Sequence, residues 1–315
     1  MKKKVVVLGG GTGISYLLRG LKDFPLDITA IITVADNGRS TGKLREEFLM
    51  PAVGDIRKVL YNMSTLSEEI QNIMEYRFDT YSDLNGHPIG NLVLTGYLNK
   101  TGSLKTSIEY LSNLLNVKHK VLPLSEDYLT LMGETIDGKI ITGQSEIMKS
   151  YQEYKRIFYK EKPHVLKEVI KSLEEADLII LSMGSLYTSI TPHLICKEVS
   201  NTIKKSKAKV MYLCNIMSQP GETNNALVSK YLEHLENYLG KNRIDAVIAN
   251  ETPISKEMLK KYETEEKEPV RIDEEKIKEM KIELIKGKLI TLEDGTIKHD
   301  GLKLSSLIFS YLMRW

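Results

Sequence analysis

Short apolar runs alternate with amphipathic helical segments along most of this chain. The run at 5–8 precedes a glycine cluster and a segment with helically spaced apolar residues, and a second apolar run covers 28–35. Short, largely β-branched runs bounded by loops are typical of buried parallel strands. Similar runs recur at 178–181, 210–213 and 244–249. The pattern predicts an α/β fold with a doubly wound, mainly parallel sheet.

Residues 119–160 break this alternation. Apolar runs lie at 121–124, 129–136 and 140–142, with Asp137-Gly138 between the last two. Asp-Gly between apolar runs is typical of a tight hairpin turn. We expect all three runs to form antiparallel hairpins, as a β-rich insertion at about 119–160 within a single domain of residues 1–315.

The last part of the chain contains two further patterns. Residues 260–281 are dense in Lys and Glu, which is typical of a solvated helix or loop. Apolar residues from Leu304 to Leu312 have helical spacing. We expect this terminal helix to pack on the core.

Composition excludes several classes of protein. The 315 residues carry 44 Lys and Arg against 42 Asp and Glu, and 42% are hydrophobic. This is the composition of a globular protein and gives no basic excess for binding nucleic acid. Two cysteines make no disulfide scaffold. Because no apolar run is long enough for a signal peptide or a membrane span, we expect a cytoplasmic protein without a membrane partner.

A glycine cluster connects the first predicted strand to the first predicted helix. Its residues are Gly9, Gly10, Gly11, Thr12 and Gly13. Glycines let a phosphate approach the backbone, and a helix start offers free N–H groups. The dinucleotide fingerprint is incomplete because Ile14 replaces its last glycine. The cluster predicts a phosphate site, and a tight turn without a ligand is the alternative.

One aspartate lies at the end of a predicted strand, and another lies at the start of a predicted helix. Asp36 ends the second strand, where dinucleotide-binding folds keep an acid for ribose hydroxyls. Asp55 begins a helical segment and would serve equally well as its N-cap. Together the two carboxylates could hold a divalent ion such as Mg²⁺ against phosphates.

Polar loops follow several of the predicted strands or precede helices. Such loops at the carboxyl edge of an α/β sheet commonly bind ligands. Their candidate nucleotide-binding residues are Asp36, Asn37, Ser40, His87, Asn91, Gly184, Ser185, Leu186, Tyr187, Thr188, Asn215 and Gln219.

Taken together, these segments resemble the CofD-like superfamily. The resemblance rests on the glycine cluster, residues 35–42, 54–57, 87–91 and 184–189, and the stretch from Asn215 to Thr223. These motifs occur in family order over about 220 residues. The 215–223 stretch is more similar to the gluconeogenesis-factor branch than to the 2-phospho-L-lactate transferases.

The resemblance implies a Rossmann-like fold and a nucleotide-diphosphate ligand. For the gluconeogenesis-factor branch it implies UDP-N-acetylglucosamine and a regulatory role in growth and cell shape on gluconeogenic carbon sources, with no firm cofactor. The resemblance also implies a homodimer. In the transferase branch, phospholactate is moved to a deazaflavin with a divalent metal, and Asp36 and Asp55 match the acids at the reaction site.

The chain departs from the family pattern in one informative loop. Where the family commonly has Asp-Asp-Gly-Gly-Ser, this chain has Asp36-Asn37-Gly38-Arg39-Ser40. The loss of a carboxylate favours a nucleotide-binding regulator over a metal-dependent transferase. An NAD-dependent oxidoreductase is the third hypothesis, supported by the strand–glycine–helix unit and Asp36 but by no hydride-transfer acid–base pair.

Overall fold

The computed structural model describes residues 2–222 and 226–315. Its strands, numbered along the chain, are β1 (Lys3–Gly9), β2 (Leu26–Ile32), β3 (Lys120–Pro123), β4 (Leu131–Thr135), β5 (Ile140–Thr142), β6 (Tyr154–Tyr159), β7 (Leu178–Leu181), β8 (Lys209–Leu213), β9 (Ala246–Asn250), β10 (Glu283–Gly287), β11 (Ile290–Glu293) and β12 (Thr296–His299).

The helices are numbered along the chain in the same way. They are α1 (Gly11–Leu21), α2 (Arg39–Phe48), α3 (Gly54–Met63), α4 (Glu68–Glu75), α5 (Ile89–Thr101), α6 (Leu104–Leu114), α7 (Gln144–Lys149), α8 (Lys167–Glu174), α9 (Thr191–Leu194), α10 (Lys197–Lys205), α11 (Val228–Leu239), α12 (Lys256–Glu263), α13 (Glu274–Glu279) and α14 (Gly301–Leu312), with a π-helical turn at Leu186–Ile190.

Seven parallel strands form the central sheet in the order β10-β9-β8-β7-β1-β2-β3. Apolar side chains of β1 alternate between two cores: Val5 and Val7 lie in one, and Val6 and Leu8 in the other. Because helices cover both faces, the strand is apolar at every position from Val5 to Leu8. The prediction of a doubly wound, mainly parallel α/β sheet is confirmed.

The β-rich insertion differs in part from the prediction. β4, β5 and β6 form a separate antiparallel sheet, and Gly138 has a φ of 86° in the turn between β4 and β5. The hairpin at Asp137-Gly138 is therefore confirmed. The expectation for residues 121–124 is wrong, because β3 pairs parallel to β2 at the edge of the central sheet. A run of only four apolar residues has no periodicity that distinguishes a strand of a parallel sheet from a strand of an antiparallel hairpin.

The carboxyl-terminal region adds elements that the sequence pattern did not predict. β10 completes the central sheet, and β11 and β12 form a hairpin. The charged region contains the exposed helix α12 and the short helix α13. α14 packs against α1 with Leu304 and Ile308 fully buried, as expected. Within the described residues, no helix combines the length and apolar character that crossing a bilayer requires.

Candidate functional site

The candidate site lies where the strand order of the sheet reverses. β1 and β7 are neighbours, and the chain continues from β1 toward β3 but from β7 toward β10. In open α/β sheets, a crevice forms at this switch point outside the carboxyl ends of the strands. The glycine cluster follows β1 and the loop at 182–189 follows β7. A Cβ on Gly13 would lie 2.3 Å from the carbonyl oxygen of Met183, so the two loops touch.

The glycine cluster contacts side chains of two helices, Asp55 of α3 and His193 of α9, and packs closely against Thr33. The N–H of Gly11 donates to Oδ2 of Asp55 at 2.6 Å. Nε2 of His193 in α9 is 3.1 Å from the carbonyl oxygen of Gly9, and burial lowers the pKa of His193 to about 4, so the ring is neutral. A Cβ on Gly10 would lie 2.7 Å from Oγ1 of Thr33. The loop is fixed before any ligand arrives.

Among the glycines of this cluster, Gly11 is the one that borders open space. Its φ of 67° is left-handed, and no atom lies within 4 Å of where its Cβ would be. Glycine adopts this conformation without steric cost. A side chain at this position would project into that open space.

Asp55 is not the N-cap that the sequence allowed. The N-cap of α3 is Val53, and Asp55 lies within the first turn. Its carboxylate instead accepts from Gly11 and lies 3.3 Å from Nζ of Lys58. Its position therefore ties the start of α3 to the glycine cluster.

Asp36 and Asp55 lie close enough for their charges to interact. Burial raises the pKa of Asp36, and the charge of Asp55 raises it further. The N–H of Gly38, 3.0 Å from Oδ1, opposes this rise. The two carboxylates repel each other in a buried site, and a bound cation would reduce this repulsion.

The loop after β7 is braced by Asn215 and Glu222. Asn215 forms two 2.8 Å hydrogen bonds with the backbone of Gly184. Oγ of Ser185 accepts from the N–H of Thr188 at 3.1 Å and contacts the Glu222 carboxylate, which also accepts from the N–H of Leu186 at 3.0 Å. Glu222 thus occupies donors that the sequence assigned to a nucleotide. Thr223, which ends that motif, lies outside the described residues.

The side chains of two predicted residues in this loop point elsewhere. Leu186 is fully buried in an apolar core. Tyr187 packs edge-on against Tyr154 and His234. Any contact that Leu186 makes with a ligand would therefore use its backbone.

Eight of the predicted nucleotide-binding residues line one or the other of two cavities. We call the first the switch-point cavity; it measures about 290 Å³. It is lined by Thr12, Gly13, Tyr16, Met183, Gly184, Asn215, Ile216, Met217, Ser218, Gln219, Tyr262, Glu265, Lys267, Thr296, Ile297, Lys298 and His299. Five of these are predicted site residues: Thr12, Gly13, Gly184, Asn215 and Gln219.

The second cavity, the arginine cavity, measures about 420 Å³. It is lined by Asp36, Gly38, Arg39, Ser40, Thr41, Gly54, Arg57, Lys58, Arg77, Asn91, Ser145, Met148 and Lys149. Asp36, Ser40 and Asn91 are therefore separated from the predicted residues of the first cavity.

His87 and Asn37 support the arginine cavity from outside its lining. Nδ2 of Asn91 donates to Oγ of Ser40, which is 2.9 Å from Nδ1 of the buried His87. Burial lowers the pKa of His87. Oδ1 of Asn37 accepts from the N–H of Ser145 at 2.9 Å and joins the loop at 36–41 to α7 of the insertion. These contacts give both residues a structural role.

A divalent ion would find two protein ligands here. In the described part of the chain, no group of three or more His, Cys, Asp and Glu side chains is placed to hold a metal. Mg²⁺ commonly uses one or two carboxylates together with substrate phosphates and water. The mutual repulsion of Asp36 and Asp55 fits such an ion, with a phosphate ligand completing its shell.

Sequence reasoning missed the groups that arrive from the end of the chain. Tyr262, Lys298 and His299 line the switch-point cavity. Nε2 of His299 is 3.1 Å from the carbonyl oxygen of Cys214, which places the β11–β12 hairpin against the end of β8. The turn at Asp294-Gly295 was the available signal for this hairpin.

Comparison with known proteins agrees with this architecture. The model of the family "2-phospho-L-lactate transferase CofD" matches residues 5–290. A gluconeogenesis factor of Bacillus subtilis (strain 168) is 41% identical over 312 residues, or 99% of this chain and 98% of the relative. Another, from Halalkalibacterium halodurans, is 41% identical over 308 residues, or 98% of this chain and 96% of the relative.

A solved structure gives the same result for the fold. The crystal structure of a protein from Bacillus halodurans superposes with a TM-score of 0.95 at 40% identity, covering 98% of this chain and 100% of that chain. The family match and the identities with these relatives extend over nearly the whole chain. The chain therefore belongs to the CofD family, in which its relatives include bacterial gluconeogenesis factors.

Proposed function

We propose that this protein binds a nucleoside diphosphate sugar, specifically UDP-N-acetylglucosamine, in the switch-point cavity. It acts as a cytoplasmic regulator of growth and cell shape on gluconeogenic carbon sources. The relatives named gluconeogenesis factor support the regulatory part. The site geometry supports the ligand part.

The fixed, open glycine cluster carries the ligand proposal. Thr12 and Gly13 line this cavity at the start of α1, where N–H groups and the helix dipole favour a phosphate. Gly11, one residue earlier, borders open space. Lys267 and Lys298 line the same cavity. Lys267 is paired with Glu265, whereas Nζ of Lys298 lies 5.6 Å from the ring centre of Tyr16. Backbone donors and two cations can thus hold a diphosphate without a basic surface.

Calorimetry on the whole chain tests this proposal. UDP-N-acetylglucosamine and UDP should bind, with GDP and NAD weaker. Gly11→Asn should weaken uridine-nucleotide binding at least tenfold, because asparagine tolerates a left-handed φ but fills the open space. Gly102→Asn is the matched control, since Gly102 has a φ of 70° and equally open surroundings. Absence of binding by any uridine nucleotide would refute the proposal.

The regulatory role requires a test in cells. The chain should restore growth on a gluconeogenic carbon source to a Bacillus subtilis strain that lacks its gluconeogenesis factor. The Gly11→Asn variant should restore it less well at equal abundance. Full rescue by a variant that no longer binds nucleotide would separate growth from the ligand. The homodimer stays a prediction, which light scattering can check.

The Asp36–Asp55 pair favours a second candidate function, a 2-phospho-L-lactate transferase-like enzyme. When bound, Mg²⁺ would neutralise phosphate charge between the two carboxylates. Asp55 would position the glycine cluster through its hydrogen bond to Gly11. The family model that matches the chain is named for this activity.

Transfer of phospholactate from a nucleotide-activated donor to a deazaflavin would establish this second function. Asp55→Asn should abolish it, because asparagine keeps an acceptor for Gly11 but removes the charge. Asp23→Asn, at an exposed position, is the control. No transfer above background with Mg²⁺ present would leave the binding function as the conclusion.

A further inference from the structure

The segment 68–84, which contains α4 and most of the loop after it, exposes a group of large apolar side chains. No residue of α4 is buried. The exposed apolar residues come from both parts of the segment and are Ile70, Ile73, Tyr76, Tyr81 and Leu84. Single exposed apolar residues are normal, whereas a group of them within one short segment is typical of an interaction surface. We call these five residues the α4 surface.

Hydrogen bonds place the loop against the end of α4. The N–H of Gly86 donates to the carbonyl oxygen of Phe78 at 2.8 Å, and the N–H of Ile89 donates to that of Tyr76 at 3.1 Å. The rings of Tyr76 and Phe78 are in edge contact, with their centroids 5.7 Å apart. Tyr76 therefore connects the apolar side chains of the helix to those of the loop.

Other contacts attach α4 to the rest of the fold. Met74 packs against the core, and a carboxylate oxygen of Glu75 lies 3.1 Å from Nη2 of Arg57. Arg57 is 1% exposed, and its Nε and Nη1 have no hydrogen-bond partner within the described residues. These contacts hold the helix in place, and the apolar side chains that they leave exposed are available to a partner.

The same segment is strongly acidic. Its acids outnumber its cations five to one, in a chain of formal net charge +2. The acids are Glu68, Glu69, Glu75, Asp79 and Asp83. Glu75 is paired with Arg57, and the one cation, Arg77, donates to the neutral carbonyl oxygen of Gly86 at 2.7 Å. The other four acids have no ion pair in the described part of the chain. An apolar surface among four unpaired carboxylates suits a partner that is both apolar and basic.

This charge disfavours the other occupants of an apolar surface. A second copy of the chain, related by a two-fold axis, would bring the surface against itself, so that four unpaired carboxylates would face four others. Anionic lipid headgroups and nucleic-acid phosphates would be repelled in the same way. A basic protein partner remains.

We propose that the α4 surface is the docking site for a partner protein that presents a basic amphipathic helix. Such a helix carries apolar side chains on one face and Lys or Arg beside them. Its apolar face would cover Ile73, Tyr76 and Tyr81, and its cations would pair with the four free carboxylates. Because tyrosines are enriched among the residues that dominate binding energy, Tyr76 and Tyr81 should contribute most. The docking does not depend on a nucleotide in the switch-point cavity.

Calorimetry with two designed helical peptides tests the chemistry of the partner. The peptides share one pattern of leucines, and their polar positions carry lysine in the first and glutamate in the second. The Leu–Lys peptide should bind the whole chain, with an affinity that falls as salt is added. The Leu–Glu peptide should not bind. Equal binding of the two peptides, or no binding of the Leu–Lys peptide, would overturn the proposal.

Apolar variants locate the binding. Ile73→Asn and Tyr81→Asn should each weaken binding of the Leu–Lys peptide about fivefold or more. Neither should lower the thermal stability much, because Ile73 is 58% exposed and Tyr81 is fully exposed. Leu302→Asn is the matched control, since Leu302 is 63% exposed on α14 and lies outside the α4 surface. Unchanged affinity in both variants, or an equal loss in the control, would overturn the assignment.

Acidic variants separate charge from apolar contact. Asp79→Asn combined with Asp83→Asn should weaken binding of the Leu–Lys peptide and reduce its salt dependence. Asp23→Asn combined with Asp294→Asn is the matched control, because both of these acids are exposed and lie outside the segment. The same loss in the two double variants would show that only the total charge of the protein matters, against the proposal.

Light scattering tests the second copy as the occupant. Wild type and Ile73→Asn should have the same molar mass. A wild-type dimer that Ile73→Asn dissociates would mean that a second copy covers the α4 surface, and it would overturn the proposal. UDP-N-acetylglucosamine should bind the wild type and Ile73→Asn equally, so a failure of the nucleotide site can be distinguished from a failure of the docking surface.

Discussion

At the scale of single residues, Glu222 shows how a side chain can take the place expected for a ligand. Its carboxylate binds Ser185 and the N–H of Leu186 in the loop after β7. A nucleotide phosphate that used these two donors would have to displace it. Burial raises the pKa of Glu222 to about 7, and the hydrogen bonds from Ser185 and Leu186 oppose that rise.

This pKa predicts a dependence of stability on pH. Between pH 4.5 and about 7, folded Glu222 is mainly protonated while the unfolded residue is ionised, so the free energy of unfolding falls as the pH rises through this window. Above about pH 7 this contribution is constant. Relative to wild type, Glu222→Gln should therefore be more stable at pH 8 than at pH 5 by about 2 kcal/mol. Urea unfolding at both pH values measures the difference.

A control separates this effect from the loss of one charge. Glu109→Gln removes an exposed carboxylate from α6. Its stability relative to wild type should change little between pH 5 and pH 8. The same pH dependence in both variants would show that the local environment of Glu222 is not responsible.

At the scale of elements, the packing of α1 on α14 depends on glycine. A Cβ on Gly20 would lie 2.4 Å from the carbonyl oxygen of Gly301, and a Cβ on Gly301 would lie 2.6 Å from the carbonyl oxygen of Tyr16. The obstructing atoms belong to the backbone, so neither helix can yield by rotating a side chain. This close contact also places the β11–β12 hairpin, which directly precedes α14.

Gly20→Ala should consequently destabilise the protein although alanine favours helices. Overpacking of this kind costs about 1–3 kcal/mol and exceeds the gain of about 1 kcal/mol in helix propensity. Gly96→Ala, within α5, is the matched control because nothing lies within 4 Å of its Cβ position. It should raise the free energy of unfolding by about 0.5–1 kcal/mol. Denaturant unfolding of both variants checks the opposite signs.

The elements that the sequence predicted well are those with a local signal. The apolar residues of α1 recur at helical spacing and lie in one core, whereas the strands β1, β2, β7, β8 and β9 contribute apolar residues to both cores. β10 was not predicted because it is a short edge strand, in which Glu283 and Lys286 are exposed and only two residues are large and apolar. The pairing of β3 was predicted wrongly because the choice of partner strand depends on distant residues.

The candidate site was predictable only in part for the same reason. Loop composition indicated the glycine cluster, Asp36 and Asp55, but not their division between two cavities. Arg57 stands in a recognised motif, yet nothing local distinguishes a buried, unpaired arginine from a solvated one. Lys298 and His299 reach the first cavity from the opposite end of the chain. These features arise from tertiary contacts that periodicity does not encode.

At the scale of the whole molecule, the last helix belongs to the core although the family match ends before it. The CofD model covers residues 5–290, whereas α14 spans Gly301–Leu312. Four of its large side chains are at most 1% exposed: Leu304, Ile308, Tyr311 and Leu312. Burying a large apolar side chain contributes about 1.5–3 kcal/mol, so the four together contribute about 6–12 kcal/mol. That is comparable to the entire stability of a typical domain, about 5–15 kcal/mol.

Removal of residues 291–315 should therefore prevent cooperative folding, even though the entire matched region remains. The shortened chain should lack a sigmoidal urea transition by circular dichroism. Removal of Arg314 and Trp315 alone, both exposed, should cost far less, since it leaves the buried side chains of α14 in place. A 1–290 chain that unfolds cooperatively at the wild-type urea midpoint would contradict this account. It would mean that the α1 face now covered by α14 tolerates exposure to water and that the hairpin lining the switch-point cavity is dispensable for the fold.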